Sequence, residues 1–148
     1  MSVPPDAAGI AATAAPSAPS APWYQAFYAA LDRNDDDLVD RFFTGDVTFR
    51  IGNTPAVHGR EAFRETMQQF FSMIGGMVHQ IDNVVHQDDE WVIEATVSYT
   101  RLDGNVVRLP TATVATIRDG LVAAMRVYVD ATPVFAEPVD DGAGDRTG

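Results

Sequence analysis

WVIEATVSYTRLD, residues 91–103, is the stretch that decides the fold of this chain. Its apolar side chains recur at every second position, and a period of two over this length predicts a β-strand with one buried and one wetter face. The buried face is predicted to carry Trp91, Ile93, Ala95, Val97 and Tyr99, and it ends in Arg101 and Asp103. A charged pair at the end of an apolar face has two interpretations. It forms the polar floor of a pocket, or it is an ion pair where the strand emerges into water.

Three further segments alternate in the same way, and they span residues 77–87, 106–117 and 121–129. Short turns rich in Asp and Gly separate neighbouring segments. Long strands joined by short turns are typical of an antiparallel meander. The sequence therefore predicts a four-stranded antiparallel sheet in the second half of the chain.

Helical spacing of apolar residues begins at Trp23, resumes at Leu38 after the acidic run that ends at Asp37, and is longest from residue 62 to residue 74. Between the second and third helices, alternation over residues 47–51 predicts one more strand. Three helices that precede a large antiparallel sheet indicate an α+β fold in which the helices cover one face of the sheet.

Composition limits the classes of partner and chemistry. The chain has 148 residues, 46% of them hydrophobic, and a net charge of −11. Such an acidic chain is a poor partner for nucleic acid or an anionic membrane. It has no cysteine, which excludes disulfides and thiolate catalysis. No apolar run approaches the length of a membrane span, and the N-terminus has no signal-peptide pattern, so a cytoplasmic protein is expected.

One folded domain is predicted over residues 23–136. Residues 1–22 are rich in Ala, Pro and Ser, and residues 137–148 are acidic and rich in Gly, so both ends are expected to be disordered. No metal or cofactor is expected. His58 has no ligand partner at helical or hairpin spacing, and His79 and His86 are seven residues apart on a strand and therefore on opposite faces.

The last predicted strand ends in a carboxylate as well. Asp130 closes the segment RVYVD, so two strands of one sheet end in aspartate, with Arg101 close to Asp103. Two carboxylates bridged by an arginine can be driven to different protonation states, which suits a general base and a general acid acting together. The alternative is that Asp130 only caps the strand in solvent.

The order of elements, the HGREAF segment at residues 58–63 and the meander resemble the nuclear-transport-factor-2-like superfamily. The resemblance covers the chain from Trp23 to about Phe135, and it implies a curved sheet and a conical pocket. Within that superfamily the chain is most similar to the limonene-1,2-epoxide hydrolase type. That family has an Arg-x-Asp pair late in a strand, as at Arg101 and Asp103, and an aspartate that ends the final strand, as at Asp130.

The third motif of that family is Tyr-x-Asn-x-Pro before the third helix. Asn53 and Pro55 match it, whereas Ile51 stands where the family has tyrosine. Isoleucine cannot supply the hydroxyl that helps to hold the reacting water in that family. Tyr99 and Tyr128 are the candidates to supply a hydroxyl from another direction.

The resemblance implies hydrolysis of an epoxide in one step. Asp130 would take a proton from a water that Asn53 also holds, and this water would attack an epoxide carbon. Asp103, kept protonated, would donate to the epoxide oxygen, and Arg101 would bridge both carboxylates. The expected substrate is small and largely apolar, because apolar and aromatic residues line any pocket this sheet could form. The predicted substrate-binding residues are Ile51, Phe70, Trp91, Tyr99 and Tyr128.

Two other functions remain open. Ketosteroid isomerases and polyketide cyclases resemble this fold and often need one acidic residue in an apolar pocket. A binding module would use Arg101, Asp103 and Asp130 only structurally. Three side chains that point into one pocket would favour the enzymes, and any of them turned outward would favour the binding module. A homodimer is also expected, because the sheet face opposite the helices, with Val92 and Val114, would otherwise expose an apolar patch.

Overall fold

The computed structural model describes residues 23–137. The predicted N-terminal arm and all but the first residue of the predicted tail lie outside the described residues. The helices are α1 (Trp23–Asp32), α2 (Leu38–Phe42), α3 (Arg60–Ser72) and α4 (Thr132–Phe135). The strands are β1 (Phe43–Ile51), β2 (Val57–His58), β3 (Gly76–Gln87), β4 (Glu90–Thr100), β5 (Val106–Arg118) and β6 (Leu121–Tyr128).

The six strands form one sheet in the order β2-β1-β6-β5-β4-β3. Strands β3 to β6 pair antiparallel with their neighbours in sequence, which confirms the meander. Strand β1 pairs parallel with β6, so the sheet is mixed and the prediction of a purely antiparallel sheet was wrong in this respect. The parallel pair arises because α3 and the rest of the meander carry the chain away from β1 before β6 returns beside it.

Strand β4 has the predicted two-residue period. Ile93, Ala95, Val97 and Tyr99 are all buried, whereas the residues between them are half-buried or exposed. The strand ends at Thr100, one residue before Arg101. The apolar face is therefore a central part of the core, and the charged pair lies just beyond the end of the strand.

The three N-terminal helices pack on the inner face of the sheet, as predicted. Phe63 of α3 contacts Phe43 and Phe49 of β1, with ring centroids 4.5 Å apart in both pairs. Arg60 at the start of α3 donates to the carbonyl oxygen of Phe43 from Nε (3.0 Å) and Nη2 (2.6 Å). Aromatic packing and this two-pronged hydrogen bond fix α3 against β1.

Three local features differ from the sequence prediction. Strand β1 begins at Phe43, before the predicted residues 47–51, because α2 ends at Phe42 and the chain becomes extended at once. Strand β2 has only two residues, Val57 and His58, which is too short to show a period. The short helix α4 follows β6, and it begins with a proline in its first turn, a position where proline costs no hydrogen bond.

The outer face of the sheet carries the residues that were expected to meet a second copy. Val92 and Val114 are half-buried there, and Val78 on the edge strand β3 is 62% exposed. The homodimer stays a prediction. None of the helices within residues 23–137 has the length and apolar character needed to span a membrane.

Candidate functional site

A cavity of about 1180 Å³ lies between the inner face of the sheet and the helices. Its walls are mostly apolar and include Phe27, Phe49, Phe63, Met67, Phe70 and Met125. A cavity of this volume with apolar walls and few polar groups is typical of a site for a small organic molecule. The polar groups in it therefore decide what chemistry the cavity supports.

A histidine–aspartate pair lies at the wall of the cavity. His79 of β3 lines the cavity, and its Nδ1 is 2.7 Å from Oδ1 of Asp32 at the end of α1. The backbone N–H of His79 donates to the other oxygen, Oδ2, at 2.9 Å. The side chains are 9% and 20% exposed, respectively. A carboxylate only accepts hydrogen bonds, so Nδ1 is the donor in this contact. In the neutral tautomer that donates from Nδ1, the other ring nitrogen, Nε2, has a free electron pair.

Two buried phenols accompany this pair. Tyr28 lies beside His79, with ring centroids 4.6 Å apart, and burial raises its pKa to about 12 against an opposing hydrogen bond with Thr113. Burial likewise raises the pKa of Tyr99 to about 12. Tyr28, Tyr99 and His79 all line the cavity, as does Thr113. The cavity thus presents one imidazole, held at Nδ1, and two phenols that stay protonated at neutral pH and can donate a hydrogen bond.

The raised pKa of Tyr28 predicts a loss of stability at alkaline pH. The folded state favours the neutral phenol, so the contribution is present in full below the ordinary pKa of 10.0 and is lost as pH rises towards about 12. The loss is on the order of 2–3 kcal/mol. Tyr28→Phe should reduce the fall in unfolding free energy between about pH 9 and about pH 11.5, measured by urea denaturation. The exposed Tyr128→Phe should leave the fall unchanged, and equal falls in both variants would contradict the assignment.

Asp130 and Asn53 lie at another part of the same cavity. Both line it, together with Ile51. Strand β1 ends at Ile51, and Gly52 turns the chain with a φ of +57°, which places Asn53 beyond the strand. The hydroxyl and the backbone N–H of Thr132 hold the pKa of Asp130 below its ordinary value. Asp130 is therefore ionised at neutral pH and has the protonation state of a base.

Arg101 does not bridge the two aspartates in this structure. Its Nε donates to Asp103 at 3.2–3.3 Å, as predicted, but its Nη1 and Nη2 donate to backbone carbonyls of residues 133–136. The backbone N–H of Asn105 and the Arg101 guanidinium hold the pKa of Asp103 below its ordinary value. This direction is opposite to the protonated state that the resemblance implied for Asp103. Neither Arg101 nor Asp103 lines the cavity.

The predicted substrate-binding residues divide into two groups. Ile51, Phe70 and Tyr99 line the cavity. Tyr128 is 46% exposed and accepts a hydrogen bond from Nη2 of Arg50 at 3.1 Å. Trp91 lies outside the cavity in a separate aromatic cluster, where its ring contacts Trp23, Tyr24 and His86. Neither Tyr128 nor Trp91 lines this cavity, so their role in substrate binding stays a prediction.

Sequence reasoning missed the His79–Asp32 pair, since it assessed each histidine only as a metal ligand. His79 alternates with Met77 and Ile81 on the inward face of β3, and Asp32 follows Tyr28 by about one helical turn. In the sequence, these two positions indicate that both polar side chains face the core. Within residues 23–137, no three His, Asp or Glu side chains lie close enough together to hold a metal ion.

Residues 24–125 match the model of the SnoaL-like domain. The chain belongs to the SnoaL-like family. This match covers α1 to most of β6, and it confirms the wider superfamily that the sequence resembles. A comparison of the SnoaL-like protein with curated proteins found no match.

Solved structures share the fold of this SnoaL-like protein at low sequence identity. A protein described as a SnoaL-like polyketide cyclase from Jannaschia sp. CCS1 has a TM-score of 0.67 and 21% identity, over 78% of this chain and 90% of that one. TerC with polyporic acid has a TM-score of 0.67 and 22% identity, over 74% and 90%. A protein with a ketosteroid isomerase-like fold from Catenulispora acidiphila, in complex with trimethylamine, has a TM-score of 0.68 and 21% identity, over 75% and 87%.

Proposed function

We propose that this SnoaL-like protein catalyses proton transfer at a carbon next to a carbonyl group in a small, largely apolar substrate. The observation that carries the proposal is that His79 lines an apolar cavity while its ring is held by Asp32. Nε2 of His79 is the proposed base. Among the residues that the structure describes, none forms a hydrogen bond with this nitrogen.

The reaction would begin when Nε2 removes the proton and the bonding electrons pass into the carbonyl group as an enolate. The Asp32 carboxylate stabilises the imidazolium that forms and keeps the ring oriented. Tyr28 and Tyr99 remain protonated and are the candidate donors to the enolate oxygen, where negative charge develops. In a β,γ-unsaturated ketone the enolate is a dienolate, and the imidazolium returns its proton to the γ carbon, which isomerises the substrate. Alternatively, the enolate carbon attacks a second carbonyl, whose oxygen takes the proton, and a ring closes.

Structural relatives support this class of reaction without assigning it. One is described as a polyketide cyclase, and another has a ketosteroid isomerase-like fold. At about a fifth identity they carry the fold alone, so the proposal rests on the side chains of this cavity.

Epoxide hydrolysis of the limonene-1,2-epoxide hydrolase type is the second candidate. The observation in its favour is that Asp130, ionised at neutral pH, and Asn53 line one cavity. Asp103 cannot serve as the acid in this arrangement, because it is ionised and lies outside the cavity walls. The geometry supports proton transfer better, since that reaction has its base, its orienting group and its candidate donors in one place.

The two candidates predict different products and different sensitive residues. Proton transfer predicts that apolar ketones exchange hydrogen next to the carbonyl in heavy water, and that His79→Asn stops the exchange while Asp130→Asn does not. Epoxide hydrolysis predicts that label from heavy-oxygen water enters a diol, with Asp130→Asn as the damaging change. Both reactions can be followed by mass spectrometry over a panel of ketones and epoxides. Tight binding of both classes without any turnover would contradict both and indicate a binding module.

A further inference from the structure

We propose that Arg101 is a positioning residue that fixes one wall of the cavity and thereby limits the size of the substrate. The wall is the segment of residues 130–136, which contains α4 and is called the C-terminal strap below. The inference rests on the proposed function only in treating the cavity as the place where substrate binds.

The C-terminal strap is part of the cavity wall. Ala131, Thr132 and Phe135 line the cavity. The Phe135 ring is 45% exposed and meets Phe70 of α3 edge-on, with ring centroids 6.0 Å apart. Because Phe70 also lines the cavity, this contact joins the strap to α3 at the cavity wall. The position of Phe135 therefore determines how much room a ligand has there.

The strap cannot hold this position through its own helix. Helix α4 has four residues, far fewer than an isolated helix needs in water. Its own anchors are Val134, which is buried in the core, and the carboxylate of Asp130, which accepts from the backbone N–H of Thr132 at 3.1 Å. The carbonyl groups at the end of the helix have no partner within it and require one from elsewhere.

Arg101 supplies that partner. Its Nη1 donates to the carbonyl oxygens of Pro133 (2.8 Å) and Val134 (2.9 Å), and its Nη2 donates to that of Ala136 (2.7 Å). Its side chain is only 13% exposed. A cation at the C-terminal end of a helix also meets the negative end of the helix dipole. The guanidinium thus ties three residues of the strap to the end of β4.

Asp103 orients this guanidinium. Its carboxylate accepts from Nε of Arg101 and also from the backbone N–H of Asn105 at 3.0 Å. A planar guanidinium held at Nε directs both remaining nitrogens towards the strap, which a lysine ammonium could not do. The Arg-x-Asp pair is thereby assigned a structural task at the cavity wall, separate from proton transfer at His79.

The test compares Arg101→Met with Arg108→Met, an exposed arginine on the neighbouring strand β5. The neutral dye N-phenyl-1-naphthylamine and the smaller 1-naphthylamine serve as fluorescent probes of the cavity. Loosening the strap should weaken binding of the smaller probe by about tenfold, because the displaced wall no longer contacts it. The affinity for the larger probe should fall by a smaller factor. Amide hydrogen exchange at residues 132–136 should become faster in the same variant. Arg108→Met should change none of these.

Two further variants keep the test decisive if Arg101→Met fails to fold. Arg101→Lys retains the charge but not the planar fork that holds Asp103 and the strap at the same time, and it should shift the probe preference in the same direction by a smaller factor. Phe135→Ala removes the wall side chain and leaves Arg101 in place, so it should reproduce the preference for the larger probe. Unchanged probe affinities and unchanged exchange in Arg101→Lys would overturn the proposal.

This test is separate from the proposed function, since probe binding and amide exchange need no turnover. Where turnover of a ketone is found, Arg101→Met should raise KM for small ketones and leave the pH profile of kcat as in the wild type. A changed pH profile would instead place Arg101 in the proton-transfer machinery and would contradict a purely positioning role. Probe binding and amide exchange therefore report on the position of the strap, and the pH profile reports on the base at His79, so the two effects can be distinguished.

Discussion

Replacing His79 with asparagine should lower the rate of hydrogen exchange next to a ketone by about 10²–10⁴-fold. The asparagine amide nitrogen lies near the position of the histidine Nδ1, so it can still donate to Asp32 and preserve that hydrogen bond. It has no counterpart of Nε2, so no electron pair remains to accept the substrate proton. The fold should stay intact while the chemistry is lost.

His86 on the same strand provides the matched control. It is exposed and stacks on Trp91 with ring centroids 4.1 Å apart, and neither ring lines the cavity. His86→Asn should therefore retain the wild-type exchange rate. The measurement is deuterium incorporation into the ketone by mass spectrometry, with thermal unfolding as the check on structure. Full activity in a folded His79→Asn variant would remove His79 from the mechanism.

The regular parts of the fold could be predicted from sequence because their pattern is long and local. Strand β4 shows its period over the whole of residues 90–100, and the apolar stripe of α3 extends over several turns. The parallel pairing of β1 with β6 could not be predicted in this way, since it joins strands separated by the whole meander. Strand β2 and helix α4 are too short for a period, so their place depends on the rest of the fold.

The site shows the same division between near and distant contacts. The Arg101–Asp103 pair is two residues apart and forms as predicted. The other partners of Arg101 are 32 to 35 residues away in a segment whose helix was not predicted, so its anchoring of the strap was invisible in the sequence. The His79–Asp32 contact joins residues 47 positions apart. This contact depends on the packing of α1 against β3. Periodicity predicts that helices cover the sheet, but it does not predict which helix meets which strand.

Asp32→Asn should be nearly as damaging as the loss of the base itself, with a fall of about 10²–10⁴-fold in exchange rate. The backbone N–H of His79 can only donate, so the amide oxygen must face it and the amide NH₂ must face Nδ1. Nδ1 then has to accept, and the ring proton moves to Nε2. The imidazole remains in place, but the nitrogen that faces the reaction no longer has a free electron pair.

Nitrogen chemical shifts of labelled histidine would show this change of tautomer directly, alongside the exchange rate. Asp36→Asn, in the exposed acidic run after α1, is the matched control and should alter neither quantity. A second variant, Asp32→Ala, removes the hydrogen bond to the imidazole ring, whereas Asp32→Asn keeps one. Comparing the two variants separates the effect of ring orientation from the effect of ring protonation. If the tautomer moves in a folded Asp32→Asn variant and the exchange rate does not fall, Nε2 is not the base. The carboxylate of Asp130, which also lines the cavity, would then be the candidate base for the exchange, and Asp130→Asn would be the variant that tests it.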